Sequence, residues 1–348
     1  MSKRKLNRRQ IWRIEKIQQE RTARSEKHER DVGRQLQAGN LSSEQTGLVI
    51  AHYGQQLDVE ALEGEDRGHI HRCFARANIE SLVTGDRVVW RAGPDRTGVI
   101  EARQPRRSAL LRPDNFGQLK PIAANIDHIL MVFAVEPEPH QNLIDRYLIA
   151  AETIGITPIL LLNKTDLLNS ENRSKTDSLR RLYEGLGYRI IHASTADQHG
   201  LDELEATLRD STSVLVGQSG VGKSSLIKML LPDENIRIQE LSEQTRKGTH
   251  TTTTARLFHL PSGGDLIDSP GVREFGLWHI DKTELEEGFV EFRPFRGYCK
   301  FRDCRHLEEP GCAIKNAAEA GKIDPRRLES YFLIRQTLEA QEPRYERE

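Results

Sequence analysis

The sequence lacks any apolar run long enough to cross a membrane, and its basic N-terminus has no apolar core of the signal-peptide kind. Aromatic residues are scarce, at 6% of 348 residues, and hydrophobic residues reach 36%. That content is adequate for packed cores in two or three domains. We therefore expect a cytoplasmic protein that has no membrane partner.

Cysteine is also scarce, and three of the four cysteines fall within fourteen residues. Cys299, Cys304 and Cys312, with His306 between them, have the spacing C-x4-C-x-H-x5-C. In a cytosolic chain this spacing favours a closed structural Zn²⁺ site over disulfides, because three thiolates and one imidazole fill a tetrahedron. The alternative is a group of unliganded core cysteines. The sequence shows no cysteine nucleophile, paired-carboxylate or redox motif that would indicate a different chemistry.

Net charge is nearly absent, at −1, but the charges are unevenly distributed. Residues 1–40 contain twelve Lys and Arg against five Asp and Glu, a net charge of +7, so the remainder carries −8. A basic arm on an acidic body indicates a polyanionic partner for the arm. The alternative is a solvated, disordered tail, and both descriptions can hold for residues 1–44.

A glycine-rich segment carries the most specific motif. The apolar run Ser213–Val216 predicts a buried strand, and a helical pattern ending at Pro232 follows the segment. Between them the pattern G-x-x-x-x-G-K-[ST] predicts a phosphate loop, with Lys223 as the catalytic lysine at the β- and γ-phosphates and Ser224 as a Mg²⁺ ligand. The predicted phosphate-binding residues of this loop are Gly217, Gln218, Ser219, Gly220, Val221, Gly222, Lys223, Ser224 and Ser225.

A second motif, N-K-x-D, lies about fifty residues upstream of the phosphate loop. It consists of Asn163, Lys164, Thr165 and Asp166, and it follows a predicted strand at Ile159–Leu162. The Asp166 carboxylate can accept from both the N1–H and the 2-amino group of guanine, and adenine lacks this pair of donors. In ordinary GTPases this base-reading motif lies downstream of the phosphate loop. Either the motif is accidental or the nucleotide domain is circularly permuted.

Two further motifs downstream of the phosphate loop favour permutation. Asp268 and Gly271 match the D-x-x-G of GTPases, in which the Asp holds Mg²⁺ through water and the Gly N–H contacts the γ-phosphate. In the preceding run Gly248–Thr254, Thr251 or Thr252 is the expected switch ligand of Mg²⁺, and the sequence leaves open which one. The loop expected to support the base is found at Ile190–Thr195, followed by Gly200–Leu204. It departs from the usual Ser-Ala order, so it predicts backbone contacts but no particular residue.

The residue that positions the attacking water is not evident. Ras-like enzymes use a Gln just after D-x-x-G, whereas here Val272 follows Gly271 and has no group to orient water. We therefore expect slow intrinsic hydrolysis. His250, beside the switch threonines, is the candidate for positioning water, and the alternative is a surface histidine on a loop.

The N-terminal third has a different pattern, with five short alternating segments between residues 46 and 103. The predicted strands are Gly47–Tyr53, Leu57–Leu62, His69–Ala77, Asp86–Trp90 and Thr97–Arg103. Five short strands in about sixty residues are typical of an OB-type barrel, a fold that often binds nucleic acid.

Taken together, these motifs resemble those of the circularly permuted GTPases, and more closely the RsgA (YjeQ/YloQ) family of bacterial small-subunit biogenesis GTPases. The resemblance is carried by G-x-S-G-V-G-K-S-S at 217–225, G-x-H-T-T-T at 248–253, D-S-P-G-x-R-E-F at 268–275 and the cysteine cluster. It implies a multidomain α/β protein with an OB-type barrel at 45–112, a circularly permuted P-loop GTPase domain at 113–276 and a zinc-binding helical domain at 277–348.

The resemblance also implies GTP hydrolysis stimulated by the small ribosomal subunit during late maturation. The expected partners are that subunit, its rRNA and GTP or GDP, with Mg²⁺ and one Zn²⁺ as cofactors and a monomeric chain. A nucleotide-gated RNA-binding module with incidental hydrolysis is the alternative function. A third possibility, an ATP-using RNA enzyme, requires Asp166 to be irrelevant.

Overall fold

The computed structural model describes residues 41–113, 118–232, 255–268, 280 and 282–341. Within these ranges the chain forms a small β-barrel, an α/β unit around a parallel sheet and a helical C-terminal region. No helix in them has the length and apolar character needed to cross a membrane.

The barrel contains β1 to β5, which occupy Gln45–Tyr53, Gln56–Ala61, Ile70–Ala75, Arg87–Ala92 and Thr97–Arg103. Its strands follow the order β1-β2-β3-β5-β4, and pairing of β4 with β1 closes it. The pairs are antiparallel except β3 with β5. Alternate side chains such as Val49, Val59 and Trp90 fill the interior. The five predicted strands and the predicted barrel are therefore confirmed.

A hairpin of β6 (Ala109–Pro113) and β7 (Leu119–Ala124) leads from the barrel into the α/β unit. The unit has a sheet of order β10-β9-β8-β11-β13-β12, in which β12 alone is antiparallel to its neighbour. The strands are β8 His128–Ala134, β9 Thr157–Asn163, β10 Ile190–His192, β11 Thr212–Val216, β12 Arg256–His259 and β13 Asp265–Asp268.

Both faces of this sheet are buried, as a parallel sheet requires. Along β8, Ile129, Met131 and Phe133 face one apolar core, and the alternating Leu130 and Val132 face the other. Helices α1 (Gln141–Ile154) and α2 (Arg173–Gly185) cover the first face, and α3 (Leu201–Leu208) and α4 (Lys223–Leu230) cover the second.

The C-terminal region packs on the first face. It contains α5 (Lys282–Gly288), a 3₁₀ segment (Val290–Phe295), α6 (Ala313–Glu319) and α7 (Pro325–Gln341). Its core is aromatic, with Phe289 stacked on Phe292 at 4.9 Å and edge-on to Tyr331 at 5.5 Å between ring centroids. The backbone of α5 closely approaches α1, because a Cβ at Gly288 would overlap the side chain of Ile149.

Candidate nucleotide and metal sites

The nucleotide motifs meet at one edge of the parallel sheet. N-K-T-D follows the carboxyl end of β9, the phosphate loop follows the carboxyl end of β11, and Asp268 ends β13. Because β9, β8, β11 and β13 are parallel neighbours, these ends lie side by side. This edge is where open α/β sheets bind ligands. Three motifs far apart in the sequence therefore lie at one edge of the sheet.

The phosphate loop has a backbone that only glycine allows at two positions. Gly217 has φ +136° and Gly222 has φ +95°, and a Cβ on either residue would overlap Val132 O or Asn163 Nδ2 respectively. The loop then starts α4 at Lys223, and the first N–H groups of a helix have no intrahelical acceptor and favour binding of an anion. Side-chain Nζ of Lys223 donates to Gly217 O and Gln218 O, each at 2.6 Å, which holds it beside the loop.

A cavity opens over this loop. Its lining consists of Lys164, Gly217, Ser219, Gly220, Gly222, Lys223, Ser224 and Ser225. Residues of both the base-reading motif and the phosphate loop therefore line one cavity, and Ser224 is exposed.

The base-reading turn is tied to the phosphate loop by hydrogen bonds. Asn163 is fully buried, and its Nδ2 donates to Val221 O at 2.8 Å. Lys164 has a left-handed backbone, with φ +58°, and its Nζ donates to Glu136 O at 2.8 Å in the loop after β8. Asp166 is exposed at the mouth of the site. The turn therefore presents its carboxylate outward while its first two side chains hold the scaffold.

Ser194 is a site residue that the sequence did not single out. It is fully buried after β10, and its Oγ donates to Asp166 Oδ1 at 2.6 Å. Thr165 Oγ1 donates to Ala193 O at 3.1 Å, so the last two residues of the N-K-T-D turn contact this loop. The sequence had indicated this loop as a support for the base but no residue in it, and the parallel pairing of β10 with β9 brings Ser194 next to the turn.

Several predicted residues lie outside the described ranges. These are the basic arm at 1–40, His250, the switch threonines Thr251 and Thr252, and Gly271. Asp268 lies within them, at the end of β13 and opposite Arg256 on β12.

The cysteine–histidine cluster is assembled as the spacing predicts. The ligand atoms of Cys299, Cys304, His306 and Cys312 all lie within 4.8 Å of one another, and His306 Nδ1 is 3.3 Å from Cys312 Sγ. A tetrahedral zinc with bonds of about 2.0 to 2.3 Å needs ligand atoms about 3.3 to 3.8 Å apart. The cluster can therefore hold one metal ion, and its donor set fits zinc.

Neighbouring groups orient and polarise the cluster. His306 Nε2 lies 3.2 Å from Glu286 Oε1, so the carboxylate fixes the ring with Nδ1 toward the thiols. Burial raises the pKa of Cys304 to about 12. Burial opposes ionisation of Cys299 too, but the N–H groups of Ala313 and Ile314 bring its pKa below the ordinary value. A bound cation favours all three thiolates.

The barrel arginines are largely paired within the chain. Arg72 contacts Asp58 at 2.6 Å, and Arg76 contacts Glu101 at 2.5 Å. These pairs reduce the positive potential that the arginines alone would give the barrel. Tyr53 adds an aromatic surface beneath the Arg72 guanidinium, 4.7 Å from ring centroid to Cζ.

The chain is similar in sequence to known GTPases, in agreement with the nucleotide motifs. A sequence model of the RsgA GTPase family matches residues 103–278. Over its length the chain is 64% identical to the small ribosomal subunit biogenesis GTPase RsgA of Hahella chejuensis, covering 98% of each protein. It is 61% identical to the protein of the same name from Marinobacter nauticus, covering 99% of each.

Two solved structures have the same fold. The crystal structure of YjeQ from Thermotoga maritima superposes with a TM-score of 0.69 at 31% identity, covering 86% of this chain and all of that one. YloQ, described as a circularly permuted GTPase, gives 0.68 at 30% identity, covering 87% and 97% of the two chains. The motif order, the shared sheet edge and these similarities lead to one conclusion: the chain belongs to the RsgA GTPase family and has its circularly permuted GTPase fold with an N-terminal β-barrel.

Proposed function

We propose that this chain hydrolyses GTP to GDP and phosphate and acts on the small ribosomal subunit during late maturation. The observation that carries the proposal is the hydrogen bond from Asn163 to Val221, which joins a guanine-reading turn to a phosphate loop. Relatives that match along nearly the whole chain are named small ribosomal subunit biogenesis GTPases, which supports the choice of partner.

In this proposal Asp166 selects guanine, Asn163, Lys164 and Thr165 hold the base-reading turn, and Ser194 keeps the Asp166 carboxylate in place. The residues proposed to bind the phosphates are Gly217, Gln218, Ser219, Gly220, Val221, Gly222, Lys223, Ser224 and Ser225, together with Gly271. Ser224, Asp268 and one of Thr251 and Thr252 are proposed to hold Mg²⁺, directly or through water. Mg²⁺ supplies charge neutralisation at the β- and γ-phosphate oxygens.

Catalysis then depends on what this chain places around the γ-phosphate. Lys223 is already beside the loop, and it exchanges its two backbone carbonyl acceptors for phosphate oxygens when GTP binds. No Gln follows Gly271, so we propose that His250 positions the attacking water once the ribosomal subunit has arranged the switch. Intrinsic turnover is accordingly slow.

The proposed domains are a basic arm at 1–44, the barrel at 45–112, the GTPase domain at 113–276 and a zinc-binding domain at 277–348. Cys299, Cys304, His306 and Cys312 are proposed to hold one Zn²⁺, which leaves no open coordination position for a reaction. Its role is structural, because binding of the ion would join the four ligands and so stabilise the loop that carries them.

The test is steady-state GTP turnover with and without purified small subunits, together with subunit affinity in GTP, GDP and a non-hydrolysable analogue. The proposal expects slow turnover alone, strong stimulation by subunits and tighter subunit binding in the GTP-like state. Equal affinity in all three states would remove the nucleotide switch. Tight analogue-dependent binding without stimulated turnover would instead favour a nucleotide-gated RNA-binding module.

A further inference from the structure

The barrel contacts the strand that joins the two switch segments. Strand β12 begins at Arg256, two residues after the sequence run 251–254 that includes the switch threonines, and it turns back into β13, which ends at Asp268. Across this hairpin Arg256 lies opposite Asp268. The position of β12 in the sheet therefore sets the position of Asp268 in the proposed Mg²⁺ site.

Three contacts from the barrel fix β12. Ala51 on β1 pairs with Arg256, which joins the barrel edge to the GTPase sheet. Thr84, which is 1% exposed, donates from Oγ1 to Ala255 O at 3.0 Å. Glu60 on β2 reaches His259 at the far end of β12, with 2.5 Å between Oε2 and Nε2.

The third contact also includes β13. The other ring nitrogen of His259, Nδ1, lies 2.6 Å from Asp265 Oδ1, three residues before Asp268. The imidazole is therefore held between a barrel carboxylate and a GTPase carboxylate, and it links β2, β12 and β13 at one point. The backbone at Gly85 passes close to β7 and β13, since a Cβ there would lie 2.1 Å from Ala124 O and 3.3 Å from Ile267 Cδ1.

We propose that the barrel is a functional part of the GTP site, in which Thr84 and Glu60 are positioning residues for hydrolysis. They act through Ala255 and His259 on β12 and on Asp268 at the end of β13, without contacting nucleotide or metal. The proposal rests on the proposed function and adds to it a route by which contacts on the barrel surface regulate turnover.

The positions of Thr84 and Glu60 predict an effect on hydrolysis without an effect on GDP affinity. In the proposed function GDP would bind to the phosphate loop after β11 and the turn after β9, whereas the described hydrogen bonds of Thr84 and Glu60 reach β12 and its preceding residue. Asp268 at the end of β13 would place Mg²⁺ and the γ-phosphate on the β12–β13 side. Small displacements there cost turnover, because hydrolysis depends on alignment of the reacting atoms.

The test uses the full-length protein and four variants. Thr84→Val keeps the shape and removes the donor to Ala255, Thr84→Ser keeps the hydroxyl, and Glu60→Gln keeps an acceptor without its charge. Glu203→Gln is the matched control, because it removes the partner of Arg189 in an exposed pair on α3. For each variant, kcat, KM, GDP affinity, affinity for a non-hydrolysable analogue and melting temperature are measured.

We expect each of Thr84→Val, which loses one hydrogen bond, and Glu60→Gln, which loses the charge of another, to lower kcat by ~3- to 10-fold, with GDP affinity within about twofold. Thr84→Ser and Glu203→Gln keep the wild-type kcat. The proposal is overturned if kcat is unchanged in Thr84→Val and Glu60→Gln, if Thr84→Ser is as slow as Thr84→Val, or if GDP affinity falls as much as kcat. If Thr84→Val fails to fold, the kcat of Glu60→Gln is the measurement that supports or overturns the proposal. A wild-type protein without GTP turnover would contradict the proposed function instead.

Discussion

Guanine selection at the residue scale depends on Asp166 and on the Ser194 hydroxyl that donates to it. Asp166→Asn replaces an acceptor of two guanine donors by a group that offers an N–H₂ donor of its own. We expect GDP affinity to fall by at least about 100-fold, because two hydrogen bonds to a charged group are lost. Xanthosine diphosphate, which has a carbonyl in place of the 2-amino group, should bind the variant more tightly than GDP does. Fluorescence titration measures both affinities.

Asp177→Asn is the control for this substitution, since Asp177 is an exposed carboxylate on α2 that lies 3.7 Å from Arg180. It should leave both affinities unchanged. An Asp166→Asn protein that binds GDP normally would show that the turn after β9 does not read guanine.

At this scale the sequence predicted the residues whose type and spacing form a motif. The residue types of N-K-T-D and of the phosphate loop indicate what each motif binds, and in the structure both motifs lie at one edge of the parallel sheet. Ser194 was not predictable in the same way, because its role comes from the neighbouring position of β9 and β10 rather than from a local pattern. A single buried serine has no signal of its own until the strand order is known.

The stabilisation that strand β12 contributes depends on the charge of His259. Hydrogen bonds to Asp265 and Glu60 raise the pKa of His259 from its ordinary 6.5 to about 10. A folded-state pKa above the unfolded value means that the bridge stabilises fully below about pH 6.5 and is lost as pH rises toward 10. The free energy of unfolding should therefore differ most between wild type and His259→Gln at pH 6, less at pH 8, and least above pH 10.

Urea denaturation at these three pH values measures that difference. A difference that stays constant from pH 6 to 10 would show that His259 contributes through packing alone, without the charge of its ring.

The metal loop is an element that its ligands hold together. Cys312 caps α6, with Sγ accepting from Lys315 N at 3.4 Å, so one ligand also starts a helix. We expect one zinc per chain by elemental analysis, and less than half of that in Cys304→Ser. Chelation should lower the melting temperature and leave GDP affinity unchanged. Full zinc content in Cys304→Ser would contradict the ligand set, and an unchanged melting temperature would contradict a structural role.

Elements were predictable where local pattern decides them. The alternation in residues 46–103 predicted five strands to within a few residues, because one face of each fills the barrel. Their contacts with β12 were not predictable, since Thr84 and His259 meet partners about 170 and 200 positions away. Hydrophobic periodicity contains no information about such pairs.

For the whole molecule, a buried arginine joins the C-terminal region to the nucleotide unit. Arg327 on α7 is fully buried, contacts Asp145 on α1, and lies 2.6 Å from Glu291. Its guanidinium also stacks on Phe289, 4.5 Å from the ring centroid. Arg327→Met leaves two buried carboxylates without their cation, which should cost ~3 to 5 kcal/mol of unfolding free energy.

Denaturant unfolding measures this loss. Adding Asp145→Asn and Glu291→Gln to Arg327→Met should recover part of it, because the uncompensated charges are then removed. A single variant within about 1 kcal/mol of wild type would show that the buried network does not hold the C-terminal region in place.

The circular permutation of the nucleotide domain was predictable, because each motif remains recognisable when its position along the chain changes. The N-K-T-D motif precedes the phosphate loop by about fifty residues, yet both end on parallel strands of one sheet. The sequence did not predict that Asp145 and Arg327, in separate proposed domains, share one buried network, because charged residues are ordinarily assigned to the surface. The monomeric state stays a prediction.

The most direct test of one guanine-specific site assembled from the two reversed motifs is GTP turnover by the wild-type chain with and without small ribosomal subunits. GDP and ADP serve as competitors. We expect slow GTP turnover by the chain without subunits and stimulation by subunits on the order of 10-fold or more. GDP should inhibit this turnover, and ADP should not. Turnover that subunits leave unchanged, or that ADP inhibits as well as GDP does, would contradict it.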